Sequence, residues 1–122
     1  MISEDKEIGF LESEVDRLEN KIMPLRIKLD GYRHMLNRKR LEKGSMDLWD
    51  ACGVGEGSRV IMNLSEDDPD ALYEISGYRY SVKHKSVRVM GVRLLKSGNK
   101  PKYISHTDLG GIPWFAKNHK RP

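Results

Sequence analysis

The first third of the chain alternates apolar and polar residues with the period of an amphipathic helix. The apolar positions are separated by alternating steps of three and four residues, at Ile8, Leu11, Val15, Leu18, Ile22, Leu25, Leu29, Tyr32 and Leu36. Such a heptad pattern forms one narrow seam, which is typical of coiled coils. Because the seam of an isolated helix would remain in water, we expect residues 1–44 to form a helical oligomerisation arm.

Two residues in this region disfavour an uninterrupted helix. Pro24 removes one helix hydrogen bond and clashes with the preceding turn, and because the seam keeps its phase we expect a kink there. The alternative is two helices, the second of which begins at Pro24. Gly44 follows a basic run and is predicted to end the arm. A short helix and a glycine-rich joint are then expected over residues 45–57. The inward-facing residues of that short helix would be Met46, Leu48 and Trp49.

The charged residues beside the seam predict how two arms would pair. Acidic residues flank its first half, at Glu12, Glu14 and Glu19. Basic residues flank its second half, at Lys21, Arg26, Lys28 and Arg33. A parallel, in-register dimer would set like charges against each other, whereas an antiparallel or staggered pairing brings acidic residues to basic ones. We therefore predict an antiparallel or staggered homo-oligomer. The alternative is that the arm packs on the β domain of its own chain.

After residue 58 the pattern changes to short strand-like runs separated by turn residues. The predicted strands are residues 59–64, 71–80, 86–95, 102–106 and 113–116. Gly77 is a candidate β-bulge. No helical pattern separates these runs, so antiparallel pairing is expected. The predicted fold class is α+β: an N-terminal coiled-coil-like helical arm, then a small antiparallel β-sheet or SH3-like barrel over residues 58–116. A basic tail, residues 117–122, follows.

Charge is distributed very unevenly along this chain, whose overall net charge is +4. Residues 77–122 contain eleven Lys or Arg and a single acidic residue, Asp108, for a local net charge of +10. Residues 1–76 carry eleven Lys or Arg against seventeen Asp or Glu, a net charge of −6. A segment this basic attracts anions, so we expect the partner to be a nucleotide-type ligand, a nucleic acid or an acidic protein surface.

Basic side chains interleave with aromatic ones in the predicted strands, a combination that suits phosphate contacts and base stacking. The residues that we predict to bind the ligand are Arg59, Arg79, Arg88, Arg93, Lys102 and Tyr103. Arginine can hold a phosphate group through two donors, and tyrosine can stack on a base. In a regular strand, Arg88 and Arg93 point to opposite faces. At least one of Trp114 and Phe115 is expected in the core.

No group of residues in the sequence predicts catalysis or metal binding. His106 and Asp108 have the types of a base and its orienting carboxylate. However, the neighbouring Ser105 would point to the opposite face of a strand, and a turn explains Asp108 better. The four histidines lack the spacing of a zinc site. We therefore expect a non-enzymatic protein that uses no metal and no other cofactor.

Cysteine content and hydropathy bear on the compartment. Cys52 is the only cysteine, so an intrachain disulfide is impossible and a reducing, cytoplasmic setting is the simpler interpretation. The first residues lack the basic and then apolar pattern of a signal peptide. No apolar run approaches the ~18 residues that span a membrane. We expect a soluble cytoplasmic protein, in the host cytoplasm if the chain is viral, without a membrane partner.

A small helical arm followed by an antiparallel β core resembles the layout of phage-encoded counter-defence proteins. It is similar in particular to the Thoeris anti-defence sponges, which sequester cyclic ADP-ribose-type signals. The resemblance covers the order of elements along the whole chain, and no family site residue is carried over. It implies an oligomer that binds a nucleotide tightly without turning it over. The expected function is sequestration of an anionic nucleotide-type ligand. The alternatives are a nucleic-acid-binding module and a protein-directed inhibitor or adaptor.

Overall fold

The computed structural model of this protein describes residues 2–65 and 70–122. In these ranges a long helix, α1 (Ile2–Cys52), is followed by four strands and a short helix. The strands are β1 (Arg59–Met62), β2 (Ala71–Ser81), β3 (Ser86–Arg93) and β4 (His106–Gly111), and the last helix is α2 (Ile112–Asn118). The chain divides into two compact units, one that ends at Leu36 and one that runs from Asn37 to Pro122. Residues 37–52 of α1 therefore belong to the unit that contains the sheet.

α1 is a single helix that continues through both residues expected to interrupt it. Pro24 lies inside the helix, so no second helix begins there. The helix does not end at Gly44 either. It continues to Cys52, and the next residue, Gly53, has a positive φ of 67° and donates its N–H to the Trp49 carbonyl at 2.8 Å. This is a common glycine-terminated helix end. The separate short helix expected over residues 45–57 is thus the last part of α1.

Close packing explains Gly44 better than helix termination does. A Cβ built on Gly44 would lie 2.6 Å from Val87 Cγ1, closer than real Cβ contacts. Leu48, one turn later, has no exposed surface and belongs to the core. This face of α1 therefore lies against β3, and glycine permits the close approach. Met46 and Trp49, which were expected to face inward, are 66% and 63% exposed because they lie on other sides of the helix from Leu48.

The four strands form an antiparallel sheet in the order β1-β2-β3-β4, which confirms the predicted α+β fold class with an antiparallel sheet. The predicted bulge is confirmed as a register shift between Ile75 and Gly77, where Gly77 has a φ of 153°. Ile75 is buried before the shift, and Tyr78 packs against the core after it. The extra residue therefore changes which positions of β2 face the core. The coiled-coil character of the arm stays a prediction.

The end of the chain differs from the predicted strands. The fourth strand covers His106–Gly111 and not residues 102–106, so Asp108 lies in a strand and not in a turn. The fifth predicted strand, residues 113–116, is instead part of the helix α2. Pro113 stands at the start of that helix, where proline is well tolerated. Phe115 has no exposed surface, so this helix of seven residues inserts one large side chain into the core.

The core of the second unit joins residues from both helices and all four strands. Its members are Leu48, Val60, Met62, Ala71, Tyr73, Ile75, Val89, Leu109 and Phe115. Cys52 packs against this cluster and is partly buried. Burial raises the pKa of its thiol, although a hydrogen bond with the Val54 backbone opposes the shift. A raised thiol pKa lowers the thiolate fraction, so Cys52 is expected to react slowly. In the described residues, no helix has a stretch apolar enough to cross a membrane.

Candidate functional site

Two of the predicted ligand-binding arginines lie opposite each other on neighbouring strands. Arg79 of β2 pairs in register with Arg88 of β3. Directly opposed residues of an antiparallel pair project from the same face, so two like charges would repel there. The repulsion is relieved by Asp108 of β4. Arg88 Nε donates to both carboxylate oxygens of Asp108 at 3.1 Å, and Arg79 Nη2 lies 3.7 Å from Asp108 Oδ2.

The carboxylate of Asp108 is held in place by its own backbone as well as by the arginines. The N–H of Gly110 donates to Asp108 Oδ1 at 2.8 Å. Burial by itself would raise the pKa of Asp108. The Gly110 hydrogen bond, the Arg88 hydrogen bond and the positive charges of Arg88 and Arg79 together outweigh burial and lower that pKa. Asp108 is therefore a firmly ionised anchor, and the three side chains carry a net charge of +1.

Arg88 is oriented by Asp108 without using all of its donors. Its two terminal nitrogens, Nη1 and Nη2, hydrogen bond to none of the residues 2–65 and 70–122, since both bonds to Asp108 come from Nε. The side chain is only 22% exposed, whereas the Arg79 side chain is 63% exposed. Arg88 thus presents a fixed pair of donors, and Arg79 adds a more mobile positive charge beside it.

Trp114 supplies an aromatic surface next to the arginines. Gly110 has a positive φ of 104°, and a Cβ built on it would lie 2.5 Å from Trp114 Cε3. The indole therefore lies directly against the backbone of residue 110, and only glycine fits there. Trp114 remains 45% exposed. The next residue, Phe115, is fully buried and stacks on His119 with ring centroids 5.1 Å apart, so it anchors the short helix that carries Trp114.

Arg88, Asp108 and Trp114 line a surface cavity of about 330 Å³, and Arg79 lies beside it through its ion pair with Asp108. Its lining residues are Leu64, Arg88, Asp108, Gly110, Gly111 and Trp114. A volume near 300 Å³ is at the lower end of the range for small-molecule sites. We name Arg79, Arg88, Asp108 and Trp114 the arginine–tryptophan cluster. It combines a phosphate-type donor group with a surface for ring stacking.

The structure places Arg59 in a different group. Arg59 Nε lies 3.9 Å from Glu74 Oε1, and Lys100 Nζ lies 3.0 Å from Glu74 Oε2. Arg59 Nη1 also lies 3.2 Å from the position that a Cβ on Gly98 would occupy. Arg59 is therefore part of an ion-pair group that ties β1, β2 and the loop after β3 together. That role in the fold makes it a poorer candidate for ligand binding.

The remaining predicted residues do not join the arginine–tryptophan cluster. Arg93 ends β3, where it pairs in register with Tyr73 and is exposed. Tyr103 is 82% exposed, and Lys102 Nζ lies 5.6 Å from the centre of its ring. Both loop residues make no hydrogen bond or ion pair with Arg79 or Arg88 in the part of the chain that the structure describes. Of the six predicted residues, the structure thus brings only Arg79 and Arg88 together at this cluster.

His106 contacts a different partner from the one its sequence neighbours suggest. Its Nδ1 lies 2.9 Å from Ser76 Oγ, and Ser76 is the extra residue of the β2 bulge. Asp108 points its carboxylate to the arginines, so it does not orient His106. In the described ranges, no three or more His, Cys, Asp or Glu side chains are grouped so that they could hold a metal ion.

Comparison with known proteins finds no match: no family model, no curated protein and no solved structure is significantly similar to this chain. The chemistry of the site is therefore judged from its own geometry.

Sequence reasoning did not include Trp114 and Asp108 among the ligand-binding residues. For Asp108 a signal was present, because it is the one acidic residue among the many basic ones of residues 77–122. For Trp114 the signal was weaker. The pair Gly110-Gly111 just before it marks a backbone that a large ring can approach closely.

Proposed function

We propose that this protein is a non-enzymatic binding protein, cytoplasmic in location, that sequesters an anionic nucleotide-type ligand at the arginine–tryptophan cluster. The observation that carries the proposal is the Arg88 guanidinium: Asp108 holds its Nε, while its two terminal nitrogens are left without a protein partner among the described residues. A guanidinium in this state can bind a phosphate group through two parallel hydrogen bonds.

The neighbouring groups suit the other parts of a nucleotide. Trp114 is 45% exposed and lies within the same cavity, so a base can stack on its indole. Arg79 adds a positive charge that a second phosphate can neutralise. Because Asp108 and Gly110 fix the arginine before the ligand arrives, little side-chain entropy is lost on binding. Pre-organisation of this kind favours tight binding, which sequestration requires.

The direct test is calorimetric titration of the protein with a cyclic ADP-ribose, ADP-ribose, AMP and inorganic phosphate. Arg88→Ala is expected to weaken nucleotide binding about 10- to 100-fold, which corresponds to the loss of charge-assisted hydrogen bonds. Trp114→Ala is expected to weaken nucleotide binding by a similar factor and to leave the binding of inorganic phosphate unaffected. The matched control is Arg59→Ala, which removes an arginine of the other ion-pair group and should change binding less than about twofold.

Mass analysis of the ligand after long incubation tests the absence of turnover. Recovery of the unchanged ligand supports sequestration, whereas steady formation of a product of different mass contradicts it. Failure of all four ligands to bind, or equal binding by wild type and Arg88→Ala, would contradict the ligand site itself.

A second candidate function is nucleic-acid binding, which the hairpin between β2 and β3 favours. Lys83 and Lys85 lie exposed in its turn, close along the chain to Arg79 and Arg88. A row of cations can follow a phosphate backbone, in which case affinity falls steeply with salt. Fluorescence anisotropy with a 20-nucleotide DNA and RNA at about 50 and 200 mM salt distinguishes nucleic-acid binding from nucleotide sequestration. A steep salt dependence with no mononucleotide binding would favour nucleic acid.

A further inference from the structure

The seam of α1 is exposed along its whole length in the first unit. Its nine residues, from Ile8 to Leu36, are between 41% and 66% exposed. Because the helix continues through Pro24, the seam is continuous across four heptads. Pro24 itself stands off the seam, between two seam positions. A continuous apolar seam of this width is the surface on which a second helix packs.

The residues of the seam in the first unit have the spacing that such a partner needs. A depression is lined by Ile8, Leu11, Glu12, Val15 and Asp16. The first four of these have the spacing i, i+3, i+4, i+7, which is the spacing of the hole that accepts one side chain in a coiled coil. The occupant would be a large apolar side chain of another seam.

The charges beside the seam select the orientation of the partner. In heptad notation, Glu12, Glu19, Arg26 and Arg33 occupy e positions, and Glu14, Lys21 and Lys28 occupy g positions. A parallel dimer pairs g with the following e, which opposes Glu14 to Glu19 and Lys28 to Arg33. An antiparallel dimer pairs e with e and g with g, which brings the acidic half of one helix to the basic half of the other. The charge pattern therefore fits a second copy of this same chain in antiparallel orientation.

We propose that two copies pair through the seam as an antiparallel coiled coil in which Leu18 faces Ile22 of the partner subunit and Leu11 faces Leu29 of the partner subunit. Val15 then faces the partner's Leu25. Every one of these layers is apolar on both sides. This assembly does not depend on the ligand proposed above, since none of its residues belongs to the arginine–tryptophan cluster.

Charge selects this register over the neighbouring one. In the proposed register, Glu12 lies beside Arg26 of the partner subunit and Glu14 beside Lys28 of the partner subunit, each twice by symmetry. Like charges meet only at the two-fold axis. A shift by one heptad would instead set Lys21 beside the partner's Lys28 and Glu7 beside the partner's Glu42, each twice by symmetry. Both registers bring acidic residues beside basic ones, but the proposed register has two like-charge contacts where the shifted one has four.

Disulfide trapping of single- and double-cysteine variants in a Cys52→Ala background tests orientation and register together. The pair Leu18→Cys/Ile22→Cys is expected to form a covalent dimer under mild oxidation. The single variant Leu18→Cys is expected to stay unlinked. In the antiparallel register each residue 18 faces the partner's Ile22, so the two copies of residue 18 lie about one helical turn apart. Efficient linkage of Leu18→Cys alone would show a parallel dimer, and linkage of Ile22→Cys/Leu25→Cys in place of the first pair would show the shifted register. Either result overturns the proposal.

Charge reversal tests the same proposal without a covalent link. Glu12→Lys/Glu14→Lys is expected to weaken the dimer at least about tenfold by sedimentation equilibrium, because four attractive contacts become repulsive. Adding Arg26→Glu/Lys28→Glu is expected to restore it. The matched control Asp30→Lys/Asp50→Lys makes the same charge change at exposed positions away from the seam and should leave the dimer unaltered. In a parallel dimer the first pair would strengthen association, so that result, or a wild-type monomer, overturns the proposal.

Discussion

Gly44 of α1 and Val87 of β3 approach so closely that a single added methyl group on residue 44 would overlap the Val87 side chain at 2.6 Å. Gly44→Ala is therefore expected to destabilise the protein by about 1–2 kcal/mol, since overpacking outweighs the gain in helix propensity. Urea unfolding followed by circular dichroism measures the change.

The same helix offers a matched control for that variant. A Cβ on Gly31 meets nothing within 4 Å, so Gly31→Ala should stabilise the helix by about 0.5–1 kcal/mol. In the double variant Gly44→Ala/Val87→Ala the added methyl group has room, so its cost should largely disappear. Equal stability of the two single alanine variants would contradict the close contact.

Asp108 is expected to make stability depend on pH in the acidic range. Its pKa is lowered in the folded protein, so its ionisation stabilises the fold above the unfolded-state pKa, near 4. That contribution is lost as the pH falls through the lower pKa of the folded state. Asp108→Asn lacks the contribution and should be less stable at pH 7 by roughly 1 kcal/mol, a modest figure because the side chain is one-third exposed.

The measurement is the difference in unfolding free energy between wild type and Asp108→Asn from pH 7 to pH 2.5. Other carboxylates titrate in both proteins, so the difference isolates residue 108. The difference should shrink as the solution becomes more acidic. A difference that stays constant or grows with acidity would show that the arginines do not stabilise the ionised carboxylate.

Trp114 and Phe115 are adjacent, but substitution of Phe115 is expected to reduce stability and substitution of Trp114 to reduce ligand binding. Phe115 has no exposed surface, so Phe115→Ala should cost about 3–5 kcal/mol of stability. Trp114 is 45% exposed, so Trp114→Ala should cost much less stability and act mainly on ligand binding. Thermal unfolding and nucleotide titration of both variants check this. A large stability loss in Trp114→Ala would indicate a structural role for the indole.

Pro24 is expected to limit the stability of the arm. A proline inside a helix removes one hydrogen bond and costs about 3 kcal/mol relative to alanine. Pro24→Ala should therefore raise the helical signal at 222 nm and its melting temperature, while the seam residues stay in phase. Met23→Ala, a neighbouring exposed position, is the control and should have little effect. An unchanged melting temperature in Pro24→Ala would mean that the helix already compensates for the missing bond.

Much of the fold could be predicted because it depends on short-range pattern. The heptad spacing predicts the helix around Ile22, and the change to strand-like runs predicts the antiparallel sheet. Gly77 predicts the bulge, since few other residues adopt its backbone conformation. For the site, the basic composition predicts an anion-binding surface and includes Arg79 and Arg88. The grouping of the six candidate residues could not be predicted, because it depends on strand register.

The sequence by itself determined the classes of element, their order and the excess of positive charge in residues 77–122, since periodicity and composition are local properties. Only the tertiary structure decided the role of Gly44, which lies inside the helix. Glycine is needed there because Val87, more than forty residues away along the chain, packs against its backbone. Only register across three strands brought Arg79, Arg88 and Asp108 together. Residues 113–116 form part of a helix that places Phe115 in a core built from both helices and all four strands, and such packing is set by the whole fold.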